Sequence, residues 1–202
     1  MYTVRAVLIK EKILDSAKQL YAEQGYSGFS MRKVAKRAGI STMATYRHFE
    51  NKDQLLHHVV VHGFKLFIAY LQRPNPDDEP WARLDQQNIA YREFAEDHVA
   101  FYEIMFLSTD EVSQLRVMTP DNAKILKGSF LILRQRMVDL GVPETEATAE
   151  AVRMWSIAHG LISLNLSGRL AFLDGDFPAF YLRQTREHLD QLRERLERTG
   201  RD

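Results

Sequence analysis

Apolar residues recur at three- and four-residue steps along most of the chain. Ile9, Ile13, Ala17, Leu20 and Tyr21 share one face of a helix over about 4–24, the spacing of a half-buried helix. Leu56, Val60, Phe64, Phe67, Ile68 and Leu71 form the stripe of a longer helix, 52–71. No strand-like alternation bounded by hairpin turns appears. Breaks fall at Gly25 and Gly28, Gly39, RPNPDDEP (73–80), Thr119-Pro120, Gly141-Val142-Pro143 and DGDFP (174–178). Between them the pattern predicts an all-α protein of about nine helices: 4–24, 31–38, 42–49, 52–71, 81–97, 98–107, a segment from Asp110 or Pro120 to Leu140, 144–170 and 177–198.

Local chemistry marks the ends of the early helices. Ser30 and Ser41 are N-cap residues before 31–38 and 42–49, and Gly25 and Gly39 are stop signals. Asn51 followed by Gln54 has the form of a capping box. Two short helices joined by a glycine-led turn make a helix-turn-helix. The expected division is a helix-turn-helix domain over 1–51 and a second helical domain over 52–202, with helix 52–71 as connector.

Charge changes the picture at the N-terminal end. Net charge is zero, but the first sixty residues hold ten Lys/Arg against five acids, leaving seventeen against twenty-two in the rest. No acid lies between Glu23 and Glu50. A cationic first third on an anionic remainder points to a polyanion partner for that third alone. Cysteine is absent, which excludes disulfides and thiolate metal sites and suits a reducing cytoplasm. No segment has the length and apolarity of a membrane span or a signal peptide.

In a helix-turn-helix the second helix enters the major groove with its N-terminal residues against base edges. Val34, Ala35, Ala38, Ile40, Leu20 and Tyr21 supply a small core, with Ala35 and Gly39 leaving room for the helix crossing. Thr42, Met43, Thr45 and Arg47 are then expected to face outward. Threonine hydroxyls bond either kind of base, and threonine methyls or Met43 suit a thymine methyl. Tyr46 and His48 are placed to reach phosphates, and Lys52 opens the next helix, where free N–H groups favour an anion.

Residues 13–56, with AEQGY, S-M-R-x-V-A-x-x-A-G-I-S and Y-R-H-F-x-N-K-x-x-L, closely resemble the N-terminal domain of the tetracycline-repressor (TetR) family of transcription regulators. The resemblance implies an all-α homodimer that binds a palindromic double-stranded DNA operator and releases it on binding a small molecule. It places Ser41, Thr42, Met43, Thr45, Tyr46 and His48 on the recognition helix, Arg32 near phosphates and Lys52 on a phosphate. Many members have Gly-Thr-aliphatic-Tyr where this chain has Met43-Ala44-Thr45-Tyr46, so base contacts transfer least.

The helix 144–170 is apolar on nearly all sides between Ala151 and Leu166, which implies burial on two sides. With the amphipathic last helix it is expected to pair with its copy in a four-helix dimer contact through Ile157, Leu161, Leu164, Leu182, Leu189 and Leu192. Trp155, His159 and Gly160 resemble the Trp-His-Gly (WHG) class of C-terminal domain in this family. His159 either lines a ligand cavity or is a hydrogen-bonded core histidine on Trp155. Candidate walls of an apolar effector pocket are Phe64, Phe67, Ile68, Phe94, Tyr102, Met105 and Phe106, then Leu133, Met137, Met154 and Trp155, with Arg136 or His98 as polar anchors.

Two other classes compete. An enzyme is disfavoured because no G-x-S-x-G, P-loop or dinucleotide fingerprint occurs. His58 and His62 at i, i+4 lack the glutamate of H-E-x-x-H and a further ligand, so no metal or cofactor is expected. A purely structural helical module leaves the acid-free window unexplained.

Overall fold

The computed structural model describes residues 2–107, 120–173 and 175–199, and every regular element among them is helical. The helices are α1 (Tyr2–Gly28), α2 (Met31–Arg37), α3 (Thr42–Tyr46), α4 (Lys52–Leu71), α5 (Pro80–Asp97), α6 (Val99–Tyr102), α7 (Pro120–Asp139), α8 (Glu144–Leu166) and α9 (Phe177–Thr199), with α6 running into a π-helical turn, Glu103–Leu107. The alternative start of the seventh helix at Asp110 lies outside the described residues.

The chain forms two compact units, Met1–Leu66 with His98–Ile125, and Phe67–Asp97 with Leu126–Asp202. In the first, Ile13, Leu14, Ala17, Leu20 and Tyr21 of α1 are buried, as are Val34, Ala35 and Ala38 and, on α4, Leu55, Leu56, Val59 and Val60. The rod of α1 ends where Gly25 turns left-handed at φ 61°. Gly63 lets α4 run flush against α6: a Cβ there would stand 2.6 Å from Met105 Sδ and 2.9 Å from Phe101 Cδ1.

In the second unit α5, α7, α8 and α9 enclose Leu84, Met137, Leu140, Val142, Ala147, Ala151, Met154, Leu189 and Leu192. Phe67 and Tyr70, at the end of α4, pack on Phe94 with centroids 5.1 and 5.5 Å away, Phe67 tilted and Tyr70 edge-on. Among the described residues of this unit one charge is enclosed: the Glu150 carboxylate, 1% exposed, accepts from Arg153 at 2.7 Å and from Arg195, and lies 3.1 Å from His188 Nε2. Burial pushes Glu150 up, but the Arg195 and Arg153 guanidiniums outweigh it and hold the carboxyl below its ordinary value.

Candidate nucleic-acid interface

The helix-turn-helix is fixed by caps at both ends of α2 and at the start of α3. Ser30 Oγ accepts the Lys33 N–H at 3.3 Å and Ser41 Oγ accepts the Ala44 N–H at 3.0 Å. Between them Gly39, at φ 62°, lets its own N–H bond Lys36 O and the Ile40 N–H bond Ala35 O at 3.0 Å, the paired bonds of a Schellman cap. A Cβ on Gly39 would meet only Lys12 Nζ, at 3.8 Å. This corrects the expectation that Gly39 makes room for a helix crossing: the turn needs its left-handed backbone, and the small residues buried here are Ala35 and Ala38. Asn51 Oδ1 accepts the Gln54 N–H at 2.8 Å, while Gln54 Oε1 takes the N–H of Glu50 at 2.7 Å. The box thus closes one residue earlier than the standard form.

The α3 surface is divided more sharply than its sequence suggests. Met43 is 68% exposed and Tyr46 50% exposed. Ser41 and Arg47 are exposed, and Thr42 and His48 are half-buried. Thr45, expected to face outward and read bases, is fully buried, with Oγ1 3.5 Å from Ser41 O. It packs α3 into the domain, and Phe49, just beyond the helix and donating its N–H to Thr45 O at 3.0 Å, is buried as well. A base edge cannot reach it.

The basic residues sort into two groups. Lys33 is spent on local structure, donating to Gln24 Oε1 at 2.6 Å and Gly28 O at 2.7 Å, and Arg37 pairs with Glu23 at 2.6 Å. Arg32, Lys36 and Arg47 are exposed and form no ion pair among the described residues. Lys36 belongs with the candidate phosphate contacts; its signal was its place in the acid-free run. Lys52 lies over the Tyr26 ring, 3.6 Å from the centroid, and the Tyr26 hydroxyl donates to Asp53 Oδ1 at 2.9 Å.

The effector candidates fall in both units. Phe64, Tyr102, Met105 and Phe106 belong to the first, and Phe67, Ile68, Phe94, Leu133, Arg136, Met137, Met154, Trp155 and His159 to the second. Phe94, Tyr102, Met137 and Met154 have no exposed surface, so they are close-packed core rather than cavity wall. Trp155 Nε1 donates to Tyr91 Oη at 3.2 Å, and Tyr91 Oη lies 3.3 Å from His159 Nδ1. Burial pushes His159 below its ordinary value. Arg136 donates to the buried Gln87 at 3.2 Å. Gln87 and Asn88 escaped sequence reasoning, although two amides between Leu84 and Tyr91 on a buried stripe are the signal. A cleft of about 440 Å³ in this unit is lined by other residues, among them Asn165, Leu170, Phe177 and Arg183.

The expected dimer residues also divide. Leu189 and Leu192 are buried in their own bundle and cannot serve an interface. Ile157, Leu161 and Leu164 instead line a shallow groove with Gln184, Glu187, His188 and Gln191 of α9, and Leu182 is half-buried. Among the described residues no helix is long and apolar enough to cross a membrane.

A capped helix-turn-helix with an open α3 face and unpaired cations, followed by a helical unit, defines a DNA-binding regulator. The family of bacterial regulatory proteins of tetR type matches residues 13–59, and the tetracyclin repressor-like C-terminal domain matches 85–188. The chain belongs to the TetR family, a family of transcriptional regulators rather than enzymes. It is 25% identical over 118 residues to an HTH-type transcriptional regulator of Staphylococcus aureus (strain USA300), covering 58% of this chain and 51% of that one. It is 33% identical over 70 residues, 35% of this chain and 38% of the other, to the biofilm operon icaADBC negative transcriptional regulator IcaR of Staphylococcus epidermidis. The chain thus spans about half the length, or less, of these relatives. The fold is shared with the fatty acid degradation regulator FadR from Bacillus halodurans, with a TM-score of 0.72, 17% identity, and coverage of 89% of this chain and 94% of that one.

Proposed function

We propose that the protein is a ligand-responsive repressor that binds a palindromic operator as a homodimer. The observation that carries this reading is the α3 face: exposed Met43 and Tyr46 beside Thr42 and Arg47, framed by the unpaired Arg32 and Lys36. Met43 and Thr42 read base edges; Arg32, Lys36, Arg47, Tyr46, His48 and Lys52 hold phosphates. The likeness to IcaR, a negative regulator, supports repression. The narrower WHG assignment rests on Trp155, His159 and Gly160.

Two copies pair through the α8–α9 face that presents Ile157, Leu161 and Leu164. An apolar or aromatic effector is held in the second unit near Trp155, His159 and Leu133, with Arg136 as polar anchor. Its binding is transmitted along α4, one continuous helix from Lys52 to Leu71.

Selection of bound sequences from a random duplex library tests the operator reading. It should recover an inverted repeat with half-site centres about one helical turn, roughly 10 bp, or a multiple of that apart. A single asymmetric site, or no enrichment, would sink the homodimer–operator reading. The effector is sought by titrating apolar and aromatic compounds against the selected duplex. A set that never alters affinity counts against sensing but leaves DNA binding intact.

A further inference from the structure

The first turn of α4 brings a third side chain to Lys52 and Asp53. Tyr26 follows the left-handed Gly25 and stands against the start of α4, twenty-six residues away in sequence. Its ring lies under the Lys52 ammonium at 3.6 Å and its hydroxyl donates to Asp53 at 2.9 Å. One side chain therefore touches both charged residues of the first turn.

We propose that Tyr26 is a positioning residue for DNA binding, holding the Lys52 ammonium where a backbone phosphate docks at the α4 N-terminus. The proposal rests on the reading of Lys52 as a phosphate contact. A lysine stem carries large rotamer freedom, and a phosphate that captures a wandering ammonium must offset its loss. An aromatic face attracts the cation without presenting a carboxylate oxygen that competes with the phosphate. Lys52 forms no ion pair among the described residues, so its full charge remains for an external anion. The hydroxyl acts on the other charge. Asp53 suits the helix N-terminus but repels a phosphate, and the bond from Tyr26 ties its carboxylate to the ring that seats Lys52. DNA then meets a lysine already placed.

The test is a double-mutant cycle with the full chain and a labelled random-sequence DNA duplex at low salt, since a phosphate contact needs no particular sequence. Lys52→Ala should weaken binding and reduce the slope of log affinity against log salt by about 0.9 for each phosphate no longer neutralised. Tyr26→Leu should weaken binding about fivefold with Lys52 present and have no effect once Lys52 is alanine. Tyr26→Phe, which keeps the ring, should retain most of the affinity. Thermal melts establish that each variant is folded.

If Tyr26→Leu weakens binding equally with and without Lys52, Tyr26 acts on the fold at large and the positioning role is overturned. Wild-type affinity for Tyr26→Leu overturns it as well. If Lys52→Ala leaves affinity and slope unchanged, the phosphate reading of Lys52 itself fails, and the proposal with it.

Discussion

Met43 and Thr45 stand two residues apart on α3, one 68% exposed and the other with no exposed surface. That contrast separates recognition from stability. Met43→Ala should leave the stability within about 0.5 kcal/mol of wild type, as exposed substitutions do, while changing which duplexes are preferred. Thr45→Ala should do the reverse, losing about 1–2 kcal/mol through the space it opens while sequence preference stays as it was. Urea unfolding and binding-site selection on both variants check the pair; a changed preference for a folded Thr45→Ala would contradict its enclosure. The caps at Ser30, Gly39 and Ser41 were legible from sequence, because serine caps and a glycine stop are local chemistry. The burial of Thr45 was missed, although its i, i+4 relation to Phe49 carried the information. The internal use of Lys33 and Arg37 was not legible, since their partners Gln24, Gly28 and Glu23 lie on α1.

At the scale of elements, periodicity located the described helices to within a few residues, because each long helix buries one continuous stripe. What it could not supply is how closely the helices approach. Gly63 in the middle of α4 reads as a weak point by propensity, since glycine costs about 1 kcal/mol against alanine in a helix. It is instead a contact point against Met105 and Phe101. Gly63→Ala should therefore destabilise by about 1–2 kcal/mol, overpacking outweighing the gain in propensity. A stabilised variant in urea unfolding would show that the helices can part at no cost. The π-helical turn Glu103–Leu107 was likewise hidden, because no residue preference marks a switch to i→i+5 bonding.

Histidines connect the elements to the behaviour of the whole molecule. Burial pushes His58 down, helped by Lys10, His57 and Lys65. It also pushes His62 down, with Lys18 and Lys65 acting in the same sense against Asp15 and Glu11. His58 meets the Phe49 ring edge-on, and His62 lies tilted against Phe101. In the second unit His159 is lowered by burial, and His188 is lowered by burial against the pull of Glu150. A histidine kept neutral by folding is protonated more readily in the unfolded chain. Its contribution is complete above its ordinary value of 6.5 and is lost as pH falls from there toward the lowered folded value. Glu150, lowered by its arginines, loses its contribution on the same side but further into acid. The melting temperature should accordingly fall between about pH 7.5 and pH 5, and His58→Gln with His62→Gln should flatten that fall. A flat profile for the wild type would contradict the assignment. The charge asymmetry of the chain was legible from counting alone; which cations it leaves available was not, because that depends on the fold.

The central claim is that the α2–α3 surface docks on DNA through Arg32, Lys36 and Arg47. It is tested most directly by the salt dependence of binding between the full chain and its selected duplex. The wild type should lose affinity steeply as salt rises, and replacing those three residues by glutamine should reduce the log–log slope by about 0.9 for each phosphate left without its cation. An unchanged slope in the triple variant, or wild-type binding that ignores salt, would contradict it.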